Sequence, residues 1–135
     1  MVGTKSKIYL SWGKIEELVD LLCKQILKSG IQIDSIMGLP RGGLIPAVIL
    51  SHKLGLPLVS KPTKGTLIVD DICDSGETFA KLSQEYPTNY LACLHLKHHT
   101  TDFVPDLWAE SWISDAWLVY PWERDDSDTI QDYLK

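Results

Sequence analysis

Three carboxylates within the span 70–74 of this 135-residue chain are the side chains best placed to do chemistry. They lie in the run Leu67-Ile68-Val69-Asp70-Asp71-Ile72-Cys73-Asp74-Ser75-Gly76-Glu77-Thr78. Leu67 to Val69 have the character of a buried strand, and Ser75 to Tyr86 carry Phe79, Leu82 and Tyr86 at helical spacing. A strand that ends in small polar residues opening a helix offers free N–H groups and the positive end of a helix dipole, a place for a phosphate. Three acids beside that place would repel a bare polyphosphate, so they must face something else. A ribose 5-phosphate meets both demands. Asp70 and Asp71 can accept hydrogen bonds from sugar hydroxyls while Asp74, Ser75, Gly76, Glu77 and Thr78 hold the phosphate. Any one of these acids alone would read as a solvated strand end, or for Asp74 as the cap of the helix starting near Ser75.

A second anion loop is Pro40-Arg41-Gly42-Gly43. Two adjacent glycines let main-chain N–H groups approach an anion closely, and Arg41 adds a fixed positive charge. Taken alone the segment is an ordinary turn before a helix. Lys97 ends the apolar run Leu91 to Leu96, where a lysine is usually solvated, and Trp117 offers a flat face on which a heterocycle could stack. His95, His98 and His99 invite a metal reading, but a strand end followed by adjacent histidines is more often a polar loop. His52 reads as a surface residue.

The elements that must position these groups alternate. Ser11 is a plausible cap for a helix from Trp12 to about Ser29, with Ile15, Leu18, Val19, Leu22 and Ile26 as its apolar stripe and Gly30 as its end. A strand follows at Ile33 to Met37, then a helix from Leu44 to Leu54 with Gly55 beyond it. A short strand is expected at Leu56 to Ser60, the acidic strand from residue 66, and another strand at Tyr90 to Leu96. Buried strands alternating with helices predict an α/β fold on a parallel sheet covered on both faces. Ligands of such sheets bind beyond the carboxyl ends of the strands, where both glycine turns and the acids fall. Beyond Lys97 the periodicity weakens, and residues 125–135 are a polar tail that is either a short helix or a frayed end.

Bulk properties narrow the partners. The length suits a single domain, 1–135, with one core. A net charge of −5 argues against nucleic acid, and the absence of a long apolar run argues against a membrane span. Cys23, Cys73 and Cys93 are odd in number and sit in apolar patterns, which fits reduced thiols in a cytoplasm.

The acidic run resembles the phosphoribosyl pyrophosphate (PRPP) signature of the type I phosphoribosyltransferases, with its apolar lead, acidic pair, further Asp and small-residue turn. The resemblance implies that family's fold: one parallel-sheet domain with a small base-recognition hood from the C-terminal segment. It also implies that Arg41, Gly42 and Gly43 hold pyrophosphate, in a loop where the family often has a cis peptide. Asp74 would handle a proton at N7 of a purine. Lys97, Trp117 and Leu118, in the context Trp117-Leu118-Val119-Tyr120-Pro121-Trp122-Glu123, are similar to the base-recognition residues of bacterial xanthine-guanine phosphoribosyltransferases. There the lysine donates to a 6-oxo group, the aromatic ring stacks, and the next residue's main chain meets position 2. The likeness extends loosely from about Ile8 to Glu123. It implies PRPP and a purine as partners, a homo-oligomer, and Mg²⁺ held mostly by ligand oxygens and water, with Asp71 as its protein side chain. One family part is missing: the long mobile lid is replaced by Ser60-Lys61-Pro62-Thr63-Lys64-Gly65. Lys61 and Lys64 can lend charge to the pyrophosphate, but six residues cannot form a hood. The readings that stay open are a purine phosphoribosyltransferase and a lidless module that binds PRPP or a nucleotide without turnover. An Asp-nucleophile phosphatase or receiver domain fits poorly, since its acids would be spread over several strands or lie near the first.

Overall fold

The computed structural model describes residues 6–123. In chain order these form β1 (Lys7–Tyr9), α1 (Trp12–Ser29), β2 (Ser35–Gly38), α2 (Leu44–Leu54), β3 (Thr66–Cys73), α3 (Glu77–Glu85), β4 (Tyr90–Leu96), β5 (Leu107–Ser111) and β6 (Trp117–Val119). Strands β2-β3-β4-β5 make a four-stranded sheet in that order, parallel throughout, while β1 and β6 pair in parallel as a separate two-stranded sheet. This is the parallel α/β architecture the alternation predicts.

Local chemistry sets the helix ends. The Ser11 hydroxyl accepts the Lys14 N–H at 3.0 Å, and Gly30 closes α1 with φ of 76°. Leu67, Val69, Ala92 and Leu94 face the α1 stripe of Ile15, Leu18, Val19, Leu22 and Ile26, together with Ala47 and Leu50 of α2. On the other face Ile68, Leu91, Cys93 and Leu96 pack with Phe79 of α3, and Leu82 and Tyr86 border that cluster. Both faces of the sheet are therefore covered, and fully burying each of its larger aliphatic side chains contributes about 1.5–3 kcal/mol. The three cysteines are free thiols, with Cys73 and Cys93 buried.

Several boundaries differ from expectation. The strand expected at Leu56–Ser60 shrinks to an isolated bridge between Leu58 and Ile36. Pro57 has no N–H to give a ladder, and the contact reduces to Ile36 N–H on the Pro57 carbonyl and Val59 N–H on the Ile36 carbonyl. Strand β2 starts at Ser35 rather than Ile33. Strand β3 runs on through Asp70 and Asp71 to Cys73, because Ile72 and Cys73 still pair with His95 and Leu96. Helix α3 begins at Glu77 rather than Ser75, since Gly76 takes a left-handed conformation at φ of 88°. Asp74 does not cap that helix. The hood is built from both ends of the described chain, because β6 finds its partner in β1. The polar tail at 125–135 lies outside the described residues.

Candidate functional site

The carboxyl ends of β2, β3 and β4 lie side by side, and three loops meet there. The loop after β2 is pressed against the acidic strand: Leu39 N–H donates to the Val69 carbonyl at 2.9 Å, and Gly43 N–H to the Leu39 carbonyl at 2.9 Å. Two glycines are required for that approach. A methyl group on Gly42 would run into the Asp71 carboxylate, and one on Gly43 into the Val69 carbonyl and Asp70 Cα. The Pro40–Arg41 peptide between them and β2 is cis. The loop that carries Arg41 thus brings Gly42 and Gly43 against the acid pair.

Within the pair, each carboxylate accepts the next main-chain N–H. Asp70 Oδ1 takes Asp71 N–H and Asp71 Oδ1 takes Ile72 N–H, both at 2.8 Å. Burial pushes the Asp71 carboxyl up to about 6, with Glu123 adding repulsion, against the opposing hydrogen bonds from Asp70 and Ile72. The oxygens of Asp70 and Asp71 suit a hard divalent ion that keeps its waters and takes the rest of its shell from a ligand. Among the described residues no group of three or more His, Cys, Asp or Glu could cage a metal. His95 bonds Tyr120 and Glu110, His98 bonds Ser111, and His99 faces Asp115, so the three histidines do not converge.

Residues 74–78 wrap from β3 into α3. The first intrahelical bond is Ala80 N–H to the Gly76 carbonyl. The amides of Thr78 and Phe79 precede it and open the helix, while Glu77 N–H is taken by the Ser75 hydroxyl at 3.3 Å. Gly76 is fixed on two grounds, its positive φ and the nearness of Thr101 and the Phe103 main chain to its missing side chain. Asp102 N–H donates to the Ser75 carbonyl, so the segment after β4 braces this loop.

Asp74, Lys97 and Trp117 come from three distant stretches of chain and meet. Lys97 Nζ lies 3.5 Å from Asp74 Oδ2 and 5.5 Å from the centre of the Trp117 ring, and its side chain is almost wholly buried. Thr100 Oγ1 donates to Asp74 Oδ1 at 2.8 Å and orients the carboxylate. Leu118 follows in β6, its side chain in the core and its main chain in register with Ile8. A long buried ammonium between a carboxylate and an aromatic face is unusual for a strand-end lysine, and it marks a polar pocket wall.

Lys64 does not join this group. Gly65 accepts Asp34 N–H, Thr63 N–H goes to the Thr66 hydroxyl, and the Asn89 amide donates to the Thr63 and Thr66 carbonyls. The end of the connection, residues 63–65, is pinned at the amino ends of β2, β3 and β4, about 15 Å of strand from the acids. Lys64 therefore cannot reach the Arg41 loop. Thr100, Glu110 and Tyr120 line or support the site without any advance sign: Thr100 acts from the turn after β4, and Glu110 and Tyr120 depend on strands β5 and β6 finding their places.

No family model matches the chain. It is 28% identical over 140 residues to a xanthine-guanine phosphoribosyltransferase of Gluconobacter oxydans, covering 84% of this chain and 83% of the relative. Among solved structures it is similar to a purine phosphoribosyltransferase of Pyrococcus horikoshii, with 31% identity, a TM-score of 0.75, and 93% of this chain and 99% of that one covered. A xanthine-guanine-hypoxanthine phosphoribosyltransferase of Helicobacter pylori shares the fold, with a TM-score of 0.73 at 22% identity over 88% of this chain and 95% of that one. With two loops facing an acidic strand end on a matching sheet, and a relative aligned along nearly its whole length, the chain belongs to the type I phosphoribosyltransferases, in their purine-using branch.

Proposed function

We propose that the chain transfers the 5-phosphoribosyl group of PRPP to N9 of a 6-oxopurine, guanine, xanthine or hypoxanthine, and releases pyrophosphate. The convergence of Asp74, Lys97 and Trp117 carries this reading. It supplies a donor for a 6-oxo oxygen, a stacking face and a carboxylate beside the ring, all at the carboxyl edge of the sheet. The Leu118 main chain stands next in order for position 2 of the purine.

In the proposed reaction the bond from ribose C1 to the pyrophosphate oxygen breaks and a bond from C1 to N9 forms. Asp74 accepts the N7 proton, which leaves the purine richer in electrons at N9. Asp70 and Asp71 hold the ribose hydroxyls and place negative charge near a sugar that becomes cation-like. The turn at residues 74–78 holds the 5′-phosphate. Arg41 and the amides of Gly42 and Gly43 hold the departing pyrophosphate. Mg²⁺, when bound beside Asp70 and Asp71 mainly through water and ligand oxygens, neutralises charge on the leaving group.

Pyrophosphate release from PRPP, assayed with guanine, xanthine, hypoxanthine and adenine, tests the reading. Release that depends on at least one 6-oxopurine and is absent with adenine supports it. The short connection at residues 60–65, pinned at its Thr63–Gly65 end, favours a second reading, a PRPP- or nucleotide-binding module. PRPP binding by calorimetry, with no base-dependent release from any of the four, would select that one.

A further inference from the structure

Lys97 and Thr100 stand on one tight turn after β4 and hold the two carboxylate oxygens of Asp74 between them. Thr100 N–H and Thr101 N–H both donate to the Lys97 carbonyl, at 3.2 and 3.1 Å. From that turn the Lys97 ammonium faces Asp74 Oδ2 at 3.5 Å, and the Thr100 hydroxyl donates to Asp74 Oδ1 at 2.8 Å. The Asp74 carbonyl lies 2.9 Å from the same hydroxyl, but its one proton favours the charged acceptor. The turn is fixed in its own right: Lys97 N–H donates to the Cys73 carbonyl and Asp102 N–H to the Ser75 carbonyl, both at 3.0 Å. The place of the Thr100 hydroxyl therefore does not depend on where the Lys97 side chain points.

The two anchors are unequal during the transfer. A purine that accepts from Lys97 at its 6-oxo oxygen draws the ammonium toward itself, and loosens a contact that at 3.5 Å is already long for a hydrogen bond. Passage of the N7 proton to Asp74 then removes the charge on which the ion pair depends. A hydroxyl both donates and accepts, so it bonds the carboxylate and the carboxylic acid alike. An unheld Asp74 has a ready alternative. Aspartates in turns commonly bond the main-chain amides two and three residues on, here those of Gly76 and Glu77. Those amides belong to the turn assigned to the 5′-phosphate, and a carboxylate on them would occupy its donors and repel it. We propose that Thr100 is a positioning residue for Asp74: its hydroxyl keeps the carboxylate at the purine once Lys97 turns to the 6-oxo oxygen, and keeps it off the phosphate turn. This role rests on the assignment of Asp74 to N7 of a purine.

Steady-state kinetics with PRPP and the 6-oxopurine that the protein turns over read the first half of the role. Thr100→Val keeps the shape of the side chain and removes the bond. Its kcat should fall about tenfold while KM for the purine stays within about twofold, and Thr100→Ser should restore kcat to within about twofold of the wild type. Packing of the turn alone would follow the γ-methyl, which Val keeps and Ser loses, so the two variants would rank in the reverse order. That order, or an unchanged kcat in Thr100→Val, overturns the proposal.

Calorimetry of ribose 5-phosphate reads the second half without turnover. Thr100→Val and Lys97→Met each leave one anchor, and each should bind within about threefold of the wild type. Both together should weaken binding by about tenfold or more, beyond the product of the single effects. Asp74→Asn added to that pair should recover the loss, by more than it changes the wild type. Effects that merely multiply, or a loss that Asp74→Asn does not recover, also overturn the proposal. A ligand-free crystal structure of the Thr100→Val, Lys97→Met protein should place the Asp74 carboxylate on the Gly76 and Glu77 amides, and a carboxylate that has not moved counts against it equally. If the carboxylate moves and the wild type binds neither ribose 5-phosphate nor PRPP, the two-anchor hold stands and the phosphoribosyl reading falls. If the wild type releases pyrophosphate with a 6-oxopurine while Thr100→Val keeps its kcat, the role of Thr100 alone falls.

Discussion

Asp71 sits where burial raises its carboxyl from 3.8 to about 6, so the native state holds an ionised group in a place that disfavours it. A raised carboxyl costs nothing below its unfolded value near 4, and its full penalty is present above about pH 6. Asp71→Asn should therefore stabilise the protein at pH 7 by on the order of 1–3 kcal/mol and leave it little changed near pH 4. Denaturant unfolding at both pH values checks this, and an equal difference at the two would contradict it. The same variant should bind PRPP more weakly, a trade of stability for function. Asp74→Asn keeps shape and the Thr100 contact but loses the proton acceptor. Turnover should fall by about 100-fold while PRPP affinity stays within about threefold, read from kcat against the PRPP dissociation constant. Lys97→Ala should weaken selection for a 6-oxo group, which competition among guanine, hypoxanthine and adenine can measure. The acids were legible from type and spacing, because they end an apolar run, and the two glycines as a turn before a helix, whereas the site role of Lys97 was legible only through the family resemblance. His95 and Tyr120 were not, since a buried histidine acquires its partners only when β5 and β6 are in place.

At the scale of elements, the turn between β3 and α3 depends on Gly76. Its left-handed φ and the closeness of Phe103 both exclude a side chain. Gly76→Ala should cost about 1–3 kcal/mol of stability and weaken binding of a 5′-phosphate. Thermal melting with and without a nucleoside monophosphate reads both effects, and an unchanged melting temperature would contradict the first. Helix α1 was legible to the residue because capping is local chemistry: Ser11 and Gly30 mark its ends wherever it packs. The length of β3 was not, because polar Asp70 and Asp71 look like a strand's end until β4 supplies the ladder that carries them on. Strand β6 lay hidden for a related reason. Its partner β1 is the first strand of the described chain and β6 the last, and no local pattern records such a pairing.

Over the whole molecule, the departure from a lidded transferase is the connection at residues 60–65. Its anchors at Asp34, Thr66 and Asn89 hold residues 63–65 at the amino edge of the sheet, and the few residues left between Val59 and that anchor are too short a stretch to close over the site. Water should reach a bound PRPP more easily than under a lid. PRPP incubated with the protein and no base should give ribose 5-phosphate faster than with lidded relatives under the same conditions, and an equal rate would mean another segment closes the site. The central claim is that a ribose 5-phosphate lies between the acid pair and the amides that open α3. A crystal structure with guanosine monophosphate tests it most directly. The account predicts the phosphate on residues 75–78, the ribose hydroxyls on Asp70 and Asp71, and the base between Lys97 and Trp117. A nucleotide bound elsewhere, or one bound here with its sugar turned away from both carboxylates, would contradict it.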